Sequence, residues 1–164
     1  MQLVLLRHGD SIVAGYDDVR RPLSPLGERQ AAAAAKFLLS FGPPVESILS
    51  SPFERTQKTA EIIAGLVGIR SVAATEYLVP GTAERQLIDQ LNGMDKAGVL
   101  LVGHEPQLRS FLSHLLTGSR GSLFEFRPGS MACVASTSPL EPGKALLRWL
   151  VNYEQLQAIP SLRA

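Results

Sequence analysis

Strand-like and helix-like segments alternate along the first two thirds of the chain, and this alternation constrains the fold more than any other feature. The first strand-like run, residues 3–6, is apolar and ends directly at Arg7-His8-Gly9. Further strand-like runs lie at 47–50, 71–74 and 99–102, and helix-like segments at 24–42, 51–66, 82–91 and 107–116. This order predicts a three-layer α/β/α sandwich, with a mainly parallel sheet covered by helices on both faces.

The last third of the sequence has a different pattern. Strand-like residues at 123–127, 131–137 and 145–150 are separated by Pro128-Gly129 and Pro142-Gly143, which are typical of turns. Direct hairpin connections predict antiparallel C-terminal strands at the edge of the sheet. Residues 153–164 are expected to form a tail or a short helix. The whole chain, residues 1–164, has the length of a single domain.

Two serines mark the expected starts of helices. Ser24 precedes Pro25, and Ser51 precedes Pro52, so each serine can cap a helix whose first position is proline. Glu54 follows Ser51 at the spacing of a capping box. We therefore expect Ser24 and Ser51 to be N-caps.

Charge, hydropathy and the single cysteine exclude several classes of function. The formal net charge is +1, so no strong field favours nucleic acid or a membrane surface. No apolar run approaches the roughly 20 residues of a membrane span, and Arg7 and His8 interrupt the N-terminal run too early for a signal peptide. Cys133 has no partner for an internal disulfide and is expected to be a buried structural thiol. We expect a cytoplasmic protein.

Three segments with side chains suited to binding or catalysis follow predicted strands. They are Arg7-His8-Gly9, the residues from Ser51 to Arg55, and Gly103-His104-Glu105. Considered singly, Gly9 could be a turn glycine, Arg55 a solvated arginine and His104 a structural histidine. In an open α/β sheet, however, ligands bind beyond the carboxyl ends of the strands, so this topology can bring all three segments to one cleft.

The residue types in these segments suit an anion. Gly9 tolerates a positive φ and allows close approach of the backbone to an anion. Arg55 lies in the first turn of its predicted helix, where its guanidinium can join the helix-end amides. His104 directly follows a buried strand, where a polar side chain needs a partner. The coincidence of the three segments therefore predicts a phosphate pocket.

The usual sequence motifs for binding a metal or a nucleotide are absent from the chain. The sequence has no His-Glu-x-x-His, no cysteine cluster, no regular histidine and aspartate spacing and no glycine-rich nucleotide loop. His114, inside the helix after His104, is given no chemistry, and Asp17-Asp18 is interpreted as a solvated pair in a loop. We expect neither a metal nor a cofactor.

Three motifs together carry a resemblance to a known family: Arg7-His8-Gly9, Ser50-Ser51-Pro52-Phe53 with Arg55, and Gly103-His104-Glu105-Pro106. They resemble the histidine phosphatase superfamily, which has the phosphoglycerate mutase-like fold. With Asp10 and Arg21-Pro22-Leu23-Ser24, the chain looks more narrowly like the SixA-type phosphohistidine phosphatases. The resemblance runs from residue 1 to about residue 150. Only the short stretch of about residues 75–97 lies where the mutases carry larger cap insertions.

The resemblance implies roles for individual residues. His8 would be the nucleophile and become phosphohistidine, while Arg7, Arg55 and His104 would bind the phosphoryl oxygens. Gly9 and Arg21 would add to the substrate-binding set. The two arginines near His8 should lower its pKa and keep it unprotonated near neutrality.

The resemblance leaves the proton donor open. Glu76 is the nearest positional match for a general acid, and Asp10 is a second candidate because it follows the catalytic turn. An exposed loop carboxylate is an equally good interpretation of Glu76. Imidazole is already basic near pH 7, so it leaves more easily than an alkoxide. A phosphohistidine phosphatase can therefore work with a weak acid or none.

The predicted activity is removal of phosphate from a phosphorylated histidine of a signalling or phosphotransfer protein, such as a histidine phosphotransfer domain. The alternatives are a small-molecule phosphomonoesterase or mutase of the same superfamily, and a phosphoprotein-binding module without catalysis. The compact stretch at 75–97 argues against a mutase, which must enclose its substrate. We expect a monomer whose ligands are phosphate and a phosphorylated protein.

Overall fold

The computed structural model describes residues 1–121, 123–136 and 139–159. The strands are β1 Gln2–Arg7, β2 Ser47–Ser50, β3 Ala73–Ala74, β4 Gly98–Gly103, β5 Met131–Ala135 and β6 Leu146–Val151. The helices are α1 Pro25–Phe41, α2 Glu54–Val67, α3 Glu84–Asn92, α4 Gln107–Thr117 and α5 Tyr153–Ala158, with a short 3₁₀ helix at Glu76–Leu78.

The strands form one sheet in the order β3-β2-β4-β1-β5-β6. β1, β2, β3 and β4 run parallel to one another, whereas β5 pairs antiparallel with both β1 and β6. The carboxyl ends of β1, β2 and β4 therefore lie at the same end of the sheet. This arrangement confirms the predicted fold class, with β6 as the C-terminal edge strand.

Alternating side chains of the central strand pack into two separate cores. Leu3 and Leu5 of β1 belong to the core under α3 and α4, while Val4 and Leu6 belong to the core under α1, α2 and α5. All four side chains are buried because both faces of the strand are covered. Helices on both faces complete the three layers.

The predicted strand at 123–127 is wrong. Its residues form an irregular segment, in which the Phe126 side chain packs into the core beside α3 and α4. The alternating pattern is real, but β5 already pairs with β1 and β6 and offers no free edge. The strand predicted at 131–137 ends at Ala135, and residues 137 and 138 lie outside the described residues.

The expected N-cap at Ser51 is also wrong. Helix α2 begins at Glu54, with Phe53 in the N-cap position and no capping side-chain hydrogen bond. The Ser51 amide instead donates to the Val102 carbonyl at 3.1 Å, which extends the pairing of β2 with β4 by one residue. Ser24, by contrast, caps α1 as predicted, accepting from the Gly27 amide at 3.1 Å.

The C-terminal segment forms a helix rather than an irregular tail as far as the structure describes it. Asn152 and Gln155 cap α5 reciprocally, and Leu156 is buried in the core beside α1 and α2. Cys133 is buried on β5 as predicted, and burial raises the pKa of its thiol to about 11. None of the helices in the described ranges is long and apolar enough to cross a bilayer.

Candidate active site

The carboxyl ends of three strands bring the predicted site residues together. The His8 amide donates to the Gly103 carbonyl at 3.1 Å, just beyond the pairing of β1 with β4. The Ser51 amide makes the equivalent bond to Val102 on the other side of β4. His8, Ser51 and His104 therefore emerge side by side, each directly after its strand.

His8 and His104 line a cavity of about 360 Å³. Five of the predicted site residues lie in its wall: Arg7, His8, Arg21, Arg55 and His104. Three carboxylates lie there too, from Asp10, Asp18 and Glu105. The cavity thus combines three guanidinium groups with two imidazoles, a set of side chains that suits a phosphoryl group.

Two hydrogen bonds fix the ring of His8. Its Nδ1 lies 2.7 Å from the carbonyl oxygen of Gly9, which only accepts, so Nδ1 carries the proton. The Nε atom of Arg55 donates to Nε2 at 3.1 Å, so Nε2 is the unprotonated nitrogen. The lone pair of Nε2, the one a nucleophile needs, is held at a defined position beside Arg55.

Arg55 joins the two histidines. It lies in the first turn of α2, is 3% exposed, and uses Nη2 to donate to Nδ1 of His104 at 3.1 Å. His104 therefore carries its proton on Nε2, which donates to the Ser51 hydroxyl at 2.9 Å. One guanidinium plane thus sets the tautomers of both imidazoles.

Arg7 and Arg21 retain donor capacity beside the histidines. Nη1 of Arg7 donates to the Phe126 carbonyl at 2.7 Å, so the irregular segment that replaces the predicted strand anchors this arginine. The Nε atoms of Arg7 and Arg21 are buried, and neither has a hydrogen-bond partner within the described part of the chain. Buried donors are normally paired, so both guanidinium groups have hydrogen-bonding capacity that the described part of the chain does not use.

Burial and positive charge keep both histidines neutral. Burial is the largest cause that lowers the pKa of His8 to about 4, and the charges of Arg55 and Arg7 lower it further. Burial likewise lowers the pKa of His104 to about 2, with contributions from His8 and Arg55. The predicted direction is confirmed for His8, although desolvation contributes more than the arginines.

We expect acidification to protonate His8 only near pH 4. Because its pKa in the folded protein lies below the usual 6.5, the imidazole stays neutral and nucleophilic through pH 5 and 6. An NMR titration of the ring carbon proton checks this, with the resonance assigned by its loss in His8→Ala. A midpoint at or above pH 6 would contradict the proposed electrostatics.

Gly9 does not use the positive φ that the sequence analysis allows for it. Its amide donates to the Thr59 hydroxyl at 3.2 Å. A Cβ at Gly9 would lie 2.5 Å from the Gly27 carbonyl oxygen, so the start of α1 is what excludes a side chain. Gly9 acts on the site through its carbonyl, which holds His8, and its contact with substrate stays a prediction.

The structure does not bring Glu76 into the cavity wall. Glu76 is exposed in the 3₁₀ helix, and its role as a proton donor stays a prediction. Asp10, the second candidate, lies in the wall, where it accepts from the Ser24 hydroxyl at 2.5 Å.

Three residues of the site have no site role among the sequence-based predictions: Ser51, Glu105 and Asp18. Ser51 was assigned to a helix cap, although its place directly after a strand matches that of His8 and His104. Glu105 lies in the cavity wall, pairs with Arg109 at 3.2 Å and has its pKa raised by burial. Asp18 was interpreted as solvated, and no local pattern shows that it reaches two arginines of the site.

The possible metal-ligating side chains in the described part of the chain do not cluster. Among residues 1–121, 123–136 and 139–159, no group of three histidine, cysteine, aspartate or glutamate side chains could hold a metal ion. His114 lies apart from the cavity and pairs with Glu84 at 2.9 Å. The ionisable groups that line the cavity are imidazole, guanidinium and carboxylate groups.

Comparison with known proteins gives a consistent result. Residues 3–78 match the family model of the histidine phosphatase superfamily, branch 1. Over 156 residues, the chain is 25% identical to the phosphohistidine phosphatase SixA of Escherichia coli K12, covering 93% of this chain and 94% of that protein. It is 30% identical over 130 residues to an uncharacterized protein of a Picosynechococcus species, covering 74% of this chain and 76% of that protein.

The fold is also shared with a solved structure. The protein histidine phosphatase SixA complexed with tungstate superposes with a TM-score of 0.86 at 24% sequence identity. The match covers 95% of this chain and 99% of that one. The structural likeness shows a shared fold, and the sequence matches support a phosphatase activity. The chain belongs to the histidine phosphatase superfamily.

Proposed function

We propose that this protein is a phosphohistidine phosphatase that removes phosphate from a phosphorylated histidine of a signalling or phosphotransfer protein. The observation that carries the proposal is the His8 ring, which lies in the wall of a cavity lined by three arginines and holds its unprotonated Nε2 beside Arg55. The likeness to a protein named phosphohistidine phosphatase supports this choice of substrate.

In the first step, Nε2 of His8 attacks phosphorus in line with the bond to the substrate imidazole. The new N–P bond forms as the old one breaks, and the electron pair of the old bond stays on the substrate imidazole, which then takes a proton from solvent water. The phosphorylated ring of His8 becomes cationic, and its Nδ1–H still donates to the Gly9 carbonyl. That carbonyl therefore stabilises the charge that develops on His8.

Arg7, Arg21 and Arg55 bind the phosphoryl oxygens, where negative charge is spread in the transition state. Arg55 must release Nε2 as phosphorus approaches, because that nitrogen cannot accept a hydrogen bond and form an N–P bond with one lone pair. In the second step, water attacks phosphorus, the bond to His8 breaks, and phosphate and neutral His8 are regenerated.

The carboxylates in the cavity wall favour a leaving group that needs little acid catalysis. Asp10 accepts from Ser24, Asp18 pairs with Arg21, and Glu105 pairs with Arg109. Each of the three is already engaged with a partner. An alkoxide leaving group depends on a proton in the transition state, whereas imidazole does so much less. This difference supports phosphohistidine over a phosphate ester.

The surroundings of the cavity support a protein substrate. The loop at residues 10–23 exposes four apolar side chains next to the phosphate-binding residues: Ile12, Val13, Tyr16 and Val19. Val13 is 65% exposed and also lies in the cavity wall. Exposed apolar residues at the mouth of a site favour contact with another protein surface. The monomeric state and the cytoplasmic location stay predictions.

The test compares phosphohistidine with phosphate esters. We expect kcat/KM for a histidine phosphotransfer domain phosphorylated on histidine to exceed that for an aryl phosphate and a phosphoserine peptide by about a hundredfold or more, the usual contribution of general acid catalysis. Release of inorganic phosphate is the measurement. Faster hydrolysis of the esters would favour a small-molecule phosphomonoesterase, and phosphate binding without turnover of any substrate would favour a binding module.

A further inference from the structure

Asp18 places a carboxylate on two arginines of the cavity. One of its oxygens lies 2.8 Å from Nη2 of Arg21, and the other lies 3.5 Å from Nη2 of Arg55. The Asp18 side chain is 63% exposed, whereas those of Arg21 and Arg55 are 20% and 3% exposed. An exposed carboxylate thus lies at the solvent side of two more deeply buried cations.

The backbone of the loop holds Asp18 at this position. Nη1 of Arg55 donates to the Asp18 carbonyl, and the Glu54 amide donates to the Val19 carbonyl at 3.0 Å. Both contacts attach the loop to the first turn of α2, the turn that carries Arg55. The carboxylate therefore stays close to the arginines, with the side-chain torsions as its main freedom.

The neighbouring Asp17 shows that this placement is specific to Asp18. Asp17 accepts from the amide and the Nε of Arg20, and the Arg20 side chain is 78% exposed. Asp17 is absent from the cavity wall that contains Asp18. The solvated pair expected from the sequence is thus divided, with one solvated carboxylate and one facing the site.

We propose that the Asp18 carboxylate is an intramolecular competitor for phosphate at Arg21 and Arg55, and so sets how tightly the site holds phosphate. A carboxylate and a phosphoryl group present the same kind of acceptor to a guanidinium. Phosphate that binds both arginines must displace the carboxylate or bear its repulsion. The same competition favours release of the product phosphate. The inference rests on the proposed function, because it takes Arg21 and Arg55 as phosphate ligands.

Calorimetric titration with inorganic phosphate at low ionic strength tests the competition. We expect Asp18→Asn to bind phosphate about threefold to tenfold more tightly than the wild type, the range for exposed ion pairs and charge-assisted bonds. Asp17→Asn is the matched control, because it makes the same change in net charge one residue away. Its affinity should stay within about twofold of the wild type. Asp18→Ser, which also removes the charge, should behave like Asp18→Asn.

The outcomes separate this inference from the proposed function. If the wild type binds phosphate and both Asp18 variants bind it equally or more weakly, with wild-type thermal unfolding midpoints, Asp18 does not compete and the inference is overturned. Equal tightening in Asp17→Asn would also overturn it, since net charge alone would explain the gain. If the wild type binds no phosphate at all, the phosphate site itself fails, and the proposed function fails with it.

Discussion

Replacing His8 by alanine is expected to lower turnover of a phosphohistidine protein by at least about ten-thousandfold, as loss of a nucleophile does in other covalent mechanisms. The cause lies in the geometry of one ring. Nδ1 is held by the Gly9 carbonyl at 2.7 Å, and Nε2 meets Arg55 at 3.1 Å. Alanine leaves the arginines in place and removes the only atom in this constellation that we propose to attack phosphorus. Phosphate release in steady state measures the loss.

The matched control is His114→Ala. His114 lies in α4, away from the cavity, and Glu84 keeps its contacts with Ser110 and Arg120 when His114 is removed. This variant should retain activity within a fewfold of the wild type. Rapid quenching of the wild type should trap a phosphorylated histidine that His8→Ala lacks. Turnover by His8→Ala at the wild-type rate, or a phosphorylated residue other than His8, would overturn the nucleophile assignment.

The sequence predicted those parts of the fold that depend on short-range pattern. Apolar runs and helix signals located β1, β2, β4 and the helices that cover them, because their periodicity reports burial on one or both faces. The segment at 123–127 has an equally good alternating pattern and forms no strand. Whether a strand joins a sheet depends on a free edge, and β1 and β6 already occupy both sides of β5. That competition between distant segments is invisible in a local pattern.

The site also contains residues that the sequence predicts and residues that it does not. His8, Arg55 and His104 were identified because each follows a strand at the same end of a parallel sheet. Their partners were not, because the contacts join residues far apart in the chain. Asp18 meets Arg55 across 37 residues, and Ser51 meets His104 across 53. The capping-box spacing predicts an N-cap at Ser51. In the structure, its amide pairs with β4 and the helix begins three residues later.

The second large effect is expected at Arg55. Both Arg55→Ala and Arg55→Lys should lower kcat for the phosphohistidine protein by about a hundredfold to a thousandfold, the usual loss for a donor aimed at developing charge. Lysine keeps the charge but has no planar fork. It therefore cannot reach His8, His104 and Asp18 at once, as the three nitrogens of Arg55 do. Steady-state kinetics on the purified variants measure the change.

Arg20→Lys and Arg20→Ala are the matched controls, because Arg20 is exposed and pairs with Asp17 outside the cavity. Both should leave kcat within about twofold, since exposed pairs contribute little. A second readout separates positioning from charge. Because the charge of Arg55 helps to lower the pKa of His8, the NMR midpoint of His8 should rise toward 6.5 in Arg55→Ala and less in Arg55→Lys. Wild-type kcat in Arg55→Lys would show that the charge alone is sufficient and that the fork joining the two histidines is not required.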